Sequence, residues 1–168
     1  MKCTTIKTIS IALMMMLMIP TSMAYDAGTP YTVTLNYIVP SDTTFTVTLA
    51  GAESTIDFNP ASMNSADVEP DSQSAAGSTP IAVIYNAGNL NQNFSVNLTT
   101  AQVSWAVVSV SNFSNYATPI TLSDTSQTPT GWTNVPMTTS VSAYMKATFA
   151  NATAGTTAKT LQINSAIS

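Results

Sequence analysis

Three carboxylates at alternate positions, Asp67, Glu69 and Asp71, are the tightest group of residues in this chain that could do chemistry. In an extended segment, residues at i, i+2 and i+4 point the same way. Converging carboxylates suit Ca²⁺, which takes about six to eight oxygens, and loop carbonyls and Asn64 would supply the remainder. No calcium-loop consensus with its glycine is present, so a solvated acidic loop is the expected reading, and no metal or other cofactor is assigned. Asp57 paired with one of these acids would be the minimum for glycoside hydrolysis, but no arginine or aromatic cluster stands beside them to seat a sugar. Histidine is absent and Cys3 is the sole cysteine. Serine and threonine hydroxyls therefore lack the base that would activate them, and the expectation is a protein that is not an enzyme.

Four N-x-S/T tripeptides are the next candidates, at Asn93, Asn97, Asn112 and Asn151. Such tripeptides arise by chance in Ser/Thr-rich chains, but the first two carry phase information. Phe94, Val96 and Leu98 alternate with Asn93, Ser95 and Asn97, so a strand that buries the apolar set turns the asparagines toward solvent. Glycans there would shield a surface with few charges. The aromatics Trp105, Trp132, Tyr116, Tyr144 and Phe113 could stack on sugars if exposed; core filling is the expected role.

These residues are carried by strands. Period-2 alternation, with Thr, Ser and Asn opposite Val, Leu, Ile, Phe and Tyr, predicts strands at 31–39, 43–50, 54–58, 80–85, 93–99, 104–110, 119–122, 139–149 and 156–163. No amphipathic helix is expected. Residues 59–79, rich in Ser, Ala, Asp and Pro, break the pattern and predict a long connection crossing between sheets or running along an edge. Short strands punctuated by Asn-Ala-Gly-Asn, Pro-Thr-Gly and Ala-Gly-Thr predict one all-β domain, an Ig-like or jelly-roll-type β-sandwich over 43–168.

Before it, Lys2 and Lys7, the apolar run from Ile9 to Ile19, Pro20 and the small residues Ser22 and Ala24 read as a secretory signal peptide over 1–24, cleaved after Ala24. The run is shorter than the roughly 20 residues of a spanning helix. Residues 25–42 form an N-terminal extension. The mature chain, 25–168, retains Lys146 and Lys159 against eight acids, a net charge of −6, and no cysteine. Without a basic surface, neither nucleic acid nor an anionic membrane is a credible partner. Stability must come from packing and strand pairing. No second apolar segment follows the domain, so retention at a cell surface would depend on other proteins.

The stretches FTVTLAGAESTIDF and PIAVIYNAGNLNQNFSVNL, then Trp105, then ATAGTTAKTLQINSAI, occur in an order that resembles secreted β-sandwich modules common in prokaryotic, especially archaeal, surface proteins. The resemblance covers about 43–167 and rests on an Asn-x-Gly-Asn turn and a terminal Ala-Gly-Thr strand. It departs at Ala158-Lys159-Thr160, where the family more often has a tyrosine. Some subunits of archaeal extracellular threads and pili are built of similar sandwiches joined by a donated N-terminal strand, and the resemblance implies that possibility here.

Residues 31–39 fit such a strand. Tyr31, Val33, Leu35, Tyr37 and Val39 share one face, the strand lies next to the mature N-terminus, and Pro40-Ser41-Asp42 reads as a short hinge. The expected function is a secreted, extracellular structural subunit that polymerises with copies of itself by donating this strand. The equal alternative for residues 31–39 is the first strand of their own sandwich. The alternative function is a monomeric glycan-binding or adhesive module.

Overall fold

The computed structural model describes residues 40–168 apart from 75, 77 and 156. The expected signal peptide and the strand at 31–39 lie outside the described residues. Among the described residues, seven strands, β1 (Phe45–Leu49), β2 (Ala82–Asn86), β3 (Gln92–Leu98), β4 (Ala106–Ser111), β5 (Ile120–Thr121), β6 (Ser140–Phe149) and β7 (Leu161–Ile167), are joined by loops and a single 3-10 turn at Ala50–Ala52. The fold is all-β, with two antiparallel sheets, β1-β2-β6-β4-β5 and β3-β7. Ile84, Phe94, Val96, Val110, Trp132 and Met145 belong to one buried core shared by both sheets, an arrangement consistent with a β-sandwich.

Alternation produces these strands where it is strictest. Along β3, Phe94, Val96 and Leu98 are buried while Asn93, Ser95 and Asn97 are half-exposed. The ten-residue β6 pairs with β2 through its first half and with β4 through its second. Two expected strands come out differently. Residues 54–58 form no ladder: Gly51 and Ala52 adopt positive φ and end the run of β1, after which Ile56 and Phe58 merely lean on the core. The last strand starts at Leu161 rather than 156, because its register is dictated by β3, with Leu98 opposite Leu161 and Gln92 opposite Ile167.

The long connection solves a hydrogen-bonding problem. β2 covers β6 only as far as Ala143, which leaves the next edge groups of a central strand without a ladder partner. Val68 exchanges both backbone hydrogen bonds with Ala147, at 2.9 Å each, and Phe149 N–H donates to Ser65 O at 2.7 Å. Between them the buried Gln73 side chain imitates a peptide. Its Oε1 accepts from Met145 N–H at 2.5 Å and its Nε2 donates to Met145 O at 2.9 Å. A loop with few apolar residues is thereby tied to the centre of the larger sheet. Gln73→Leu keeps similar bulk but strands two buried backbone groups, each costing about 1–3 kcal/mol. The expected result is a fall in melting temperature of roughly 10 °C at an unchanged strand content, read by circular dichroism.

Candidate functional site: an open flank between two edge strands

The inner groups of β3 and β7 bond each other, and the ladder leaves an alternate set pointing away. The β3 N–H groups that face away from β7 are all engaged. Gln92, Phe94, Val96 and Leu98 N–H donate to Val135, Trp132, Gln127 and Ser123 O. The 123–135 segment arrives from β5 and closes that flank. Among the described residues β7 has no such cover. Thr99 N–H bonds Thr160 O and Ser168 N–H bonds Asn91 O, which fixes the alternation: Gln162, Asn164 and Ala166 face β3, while Leu161, Ile163, Ser165 and Ile167 present N–H and C=O outward. No backbone partner for these four exists among the described residues.

β1 ends the larger sheet in the same condition. Ala87 N–H donates to Thr44 O and Ala50 N–H to Ile81 O, so Thr46 and Thr48 face β2, and Phe45, Val47 and Leu49 point their backbone groups outward. β1 therefore ends the larger sheet on the side opposite β5. Its core-side residues are incompletely covered. Phe45 packs on Phe94, ring centroids 5.5 Å apart, yet Val47 is 41% exposed, and Ile167 on β7 is 56% exposed. Two edges whose outward backbone groups have no partner among the described residues, each carrying half-covered apolar side chains, are suited to an added strand.

At the Leu161 end lies a cavity of about 480 Å³. Its lining includes Leu98, Val108, Met145 and Leu161 together with Trp105 and Phe149, whose rings stack with centroids 6.3 Å apart. At the other end the chain enters the domain. Asn89 clamps it: Asn89 N–H donates to Asp42 O at 3.0 Å, Asn89 Nδ2 to Pro40 O at 2.8 Å, and Asp42 N–H to Asn89 Oδ1 at 2.7 Å. A Cβ on Gly88 would sit 2.2 Å from Asp42 O, so only glycine lets the two segments approach this closely. The Thr44 hydroxyl, then its N–H, bonds the Asp42 carboxylate and holds its pKa below the usual value. Asp42 thus favours this clamp above the ordinary carboxylate range, and the contribution is lost as pH falls through its depressed pKa. In the expected hinge Pro40-Ser41-Asp42, Pro40 and Asp42 are thus held by Asn89.

The other expected sites are dispersed. Asp67 sits at positive φ and Asp71 accepts from Asn59 Nδ2 at 2.6 Å. Among the described residues no group of three acids, histidines or cysteines is close enough to hold a metal ion. Asn93 Oδ1 accepts from Asn134 N–H and Asn97 Oδ1 from Asn164 Nδ2. Asn112 is half-buried, with Oδ1 accepting from Ser142 N–H at 2.9 Å. Asn151 is exposed. Trp132 is fully buried, Tyr144 donates its hydroxyl to Ser78 O, and burial pushes the Tyr116 phenol well above its usual pKa, where it donates to Ser109 O. Phe113 stays 40% exposed. Which strands would carry the open edges was not located from the sequence. Their signal was present in the mixed phase of β7, where Leu161, Ile163 and Ile167 alternate with Gln162 and Asn164 but Ser165 interrupts the apolar face.

No helix among the described residues is long and apolar enough to cross a membrane. No protein-family model, curated protein or solved structure matches the chain.

Proposed function

We propose that this protein is a secreted structural subunit, an Ig-like or jelly-roll-type sandwich that polymerises outside the cell into a filament or surface layer by donating residues 31–39 to a neighbouring copy. The observation that carries this reading is the pair of edge strands β1 and β7, unpaired on their outer sides among the described residues, with Val47 and Ile167 exposed on them. A monomer would be expected to blunt such edges with lysine or bulges, and the mature chain has two lysines in all.

The lead into β1 favours donation over the first strand of its own sandwich. Residues 40–44 continue the β1 ladder past the β2–β3 turn without reversing. A chain that turned back onto its own flank would have to consume part of 31–39 in the turn. A chain that continues straight keeps all nine residues, roughly 30 Å of strand, for a neighbour. Head-to-tail contact of this kind need not close, and its product is a filament. Asn151, the exposed sequon, is the position best suited to carry a glycan without disturbing the sandwich.

Leu35→Asp in the full chain tests the reading. A charge in the centre of the apolar face is expected to abolish polymers in electron micrographs and leave a sedimenting monomer with unchanged circular dichroism. Filaments indistinguishable from those of the unsubstituted chain would sink it.

A further inference from the structure

The open flank offers two edges, and the geometry points to one of them: we infer that residues 31–39 of a second copy pair antiparallel with β7, with Tyr31 opposite Ile167 and Tyr37 opposite Leu161. This rests on the proposed donation and adds the edge, direction and register.

Direction follows from the clamp. The chain leaves the domain at the Asn89 end, where β7 finishes at Ile167 and β1 begins. In an open head-to-tail filament the copy beyond that end presents its opposite end, where β7 starts at Leu161. The donated strand enters there, so Val39 stays near Leu161 and Tyr31 reaches farthest, toward Ile167. It then runs against β7, in the antiparallel sense whose hydrogen bonds are the better aligned. Against β1 the same strand would be parallel.

Register follows from parity and from the cavity. On β7 the outward N–H and C=O groups and the core-side side chains belong to the same residues, Leu161, Ile163, Ser165 and Ile167. The donated strand has its apolar face on odd-numbered residues, so odd must meet odd; a one-residue slip would turn Thr32, Thr34 and Asn36 into the core. Among even-sum registers, the one that sets Tyr31 on Ile167 places Val33 by the small Ser165, Leu35 by Ile163 and Tyr37 by Leu161. Leu161 lines the 480 Å³ cavity that Trp105 and Phe149 border, and a tyrosine is the largest side chain the strand has to fill it. It also covers Ile167, the most exposed side chain of the flank.

In this register Asn36 and Gln162 form a non-hydrogen-bonded pair with both side chains on the solvent face, the spacing that accepts a cross-strand disulfide. The mature chain has no cysteine of its own. The full chain carrying Asn36→Cys and Gln162→Cys, recovered after secretion and oxidised mildly, is expected to give a reducible ladder of multimers on a denaturing gel. Asn36→Cys with Thr46→Cys on β1, and Thr34→Cys with Gln162→Cys, one step out of register, are expected to give at least tenfold less. A ladder from either of these two in place of the first, or filaments with no ladder, overturns the edge or register while leaving donation intact. A disulfide closed within a monomer, or no filaments from the unsubstituted chain, overturns the donation reading itself.

Discussion

Trp132→Ala is expected to remove most of the stability of the domain. The side chain is fully buried and its Nε1–H donates to Ser142 O at 3.1 Å, which ties the 123–135 segment to β6. The same residue also holds β3, since Phe94 N–H donates to Trp132 O at 2.8 Å. Truncating a buried tryptophan to alanine costs about 3–5 kcal/mol, against a total of about 5–15 kcal/mol for a domain of this size. No disulfide stands in reserve. The melting midpoint should fall by roughly 10–15 °C, or the protein should fail to accumulate when produced. Trp132→Phe keeps most of the volume and loses the indole bond, so a loss near 1–2 kcal/mol is expected. Equal losses for the two variants would show that volume is not what this residue supplies.

The reason Trp132 was legible only in outline is instructive. Its burial follows from type, but its position does not. It sits after a Pro129-Thr130-Gly131 turn in which Trp132 N–H bonds Pro129 O, and Gly131, at φ 86°, leaves room for the Asn112 amide, which would lie 2.6 Å from a Cβ there. Asn112 in turn accepts from the half-buried N–H of Ser142. A tripeptide that reads as a glycan acceptor is therefore committed to the fold, a fact that spacing along the chain does not encode. Strands were readable where burial on one face enforces strict alternation, as in β3 and β6. They were misread where pairing decides: residues 54–58 alternate properly but find no partner, and β7 begins where β3 sets it. The acidic residues failed as a cluster because i, i+2, i+4 converges only on an extended backbone, and Asp67 has left-handed φ. Gln73 could not be anticipated at all, since nothing about an isolated glutamine in a polar loop announces that it completes a ladder 72 residues away.

A mature chain shortened to begin at Ser41 is expected to fold, to lose polymerisation entirely, and to regain a cooperative gain in stability when a synthetic peptide of residues 25–39 is added. The core residues of both sheets lie within 81–145, and the Asn89 clamp loses only its bond to Pro40 O while keeping both bonds to Asp42. What the shortened chain lacks is cover for Val47, Leu161, Ile163 and Ile167. The peptide supplies five alternating apolar side chains and a row of backbone groups for the open edge, and ligand that binds only the folded state raises stability as RT ln(1 + [L]/Kd). At a peptide concentration about 100-fold above Kd that is about 2.7 kcal/mol, a rise in melting midpoint of roughly 8 °C for a domain of this size. A peptide with Leu35→Asp should give no rise, which separates strand addition from nonspecific association of an apolar peptide. Strand donation also makes an asymmetric demand on kinetics: peptide added to preformed polymer should exchange slowly, because a neighbour's strand must first leave, whereas it should bind the shortened chain at once. If the shortened chain is fully stable alone and ignores the peptide, its flank needs no added strand, and polymerisation by donation is wrong. If it fails to fold even with peptide present, residues 31–40 are an obligatory strand of their own sandwich.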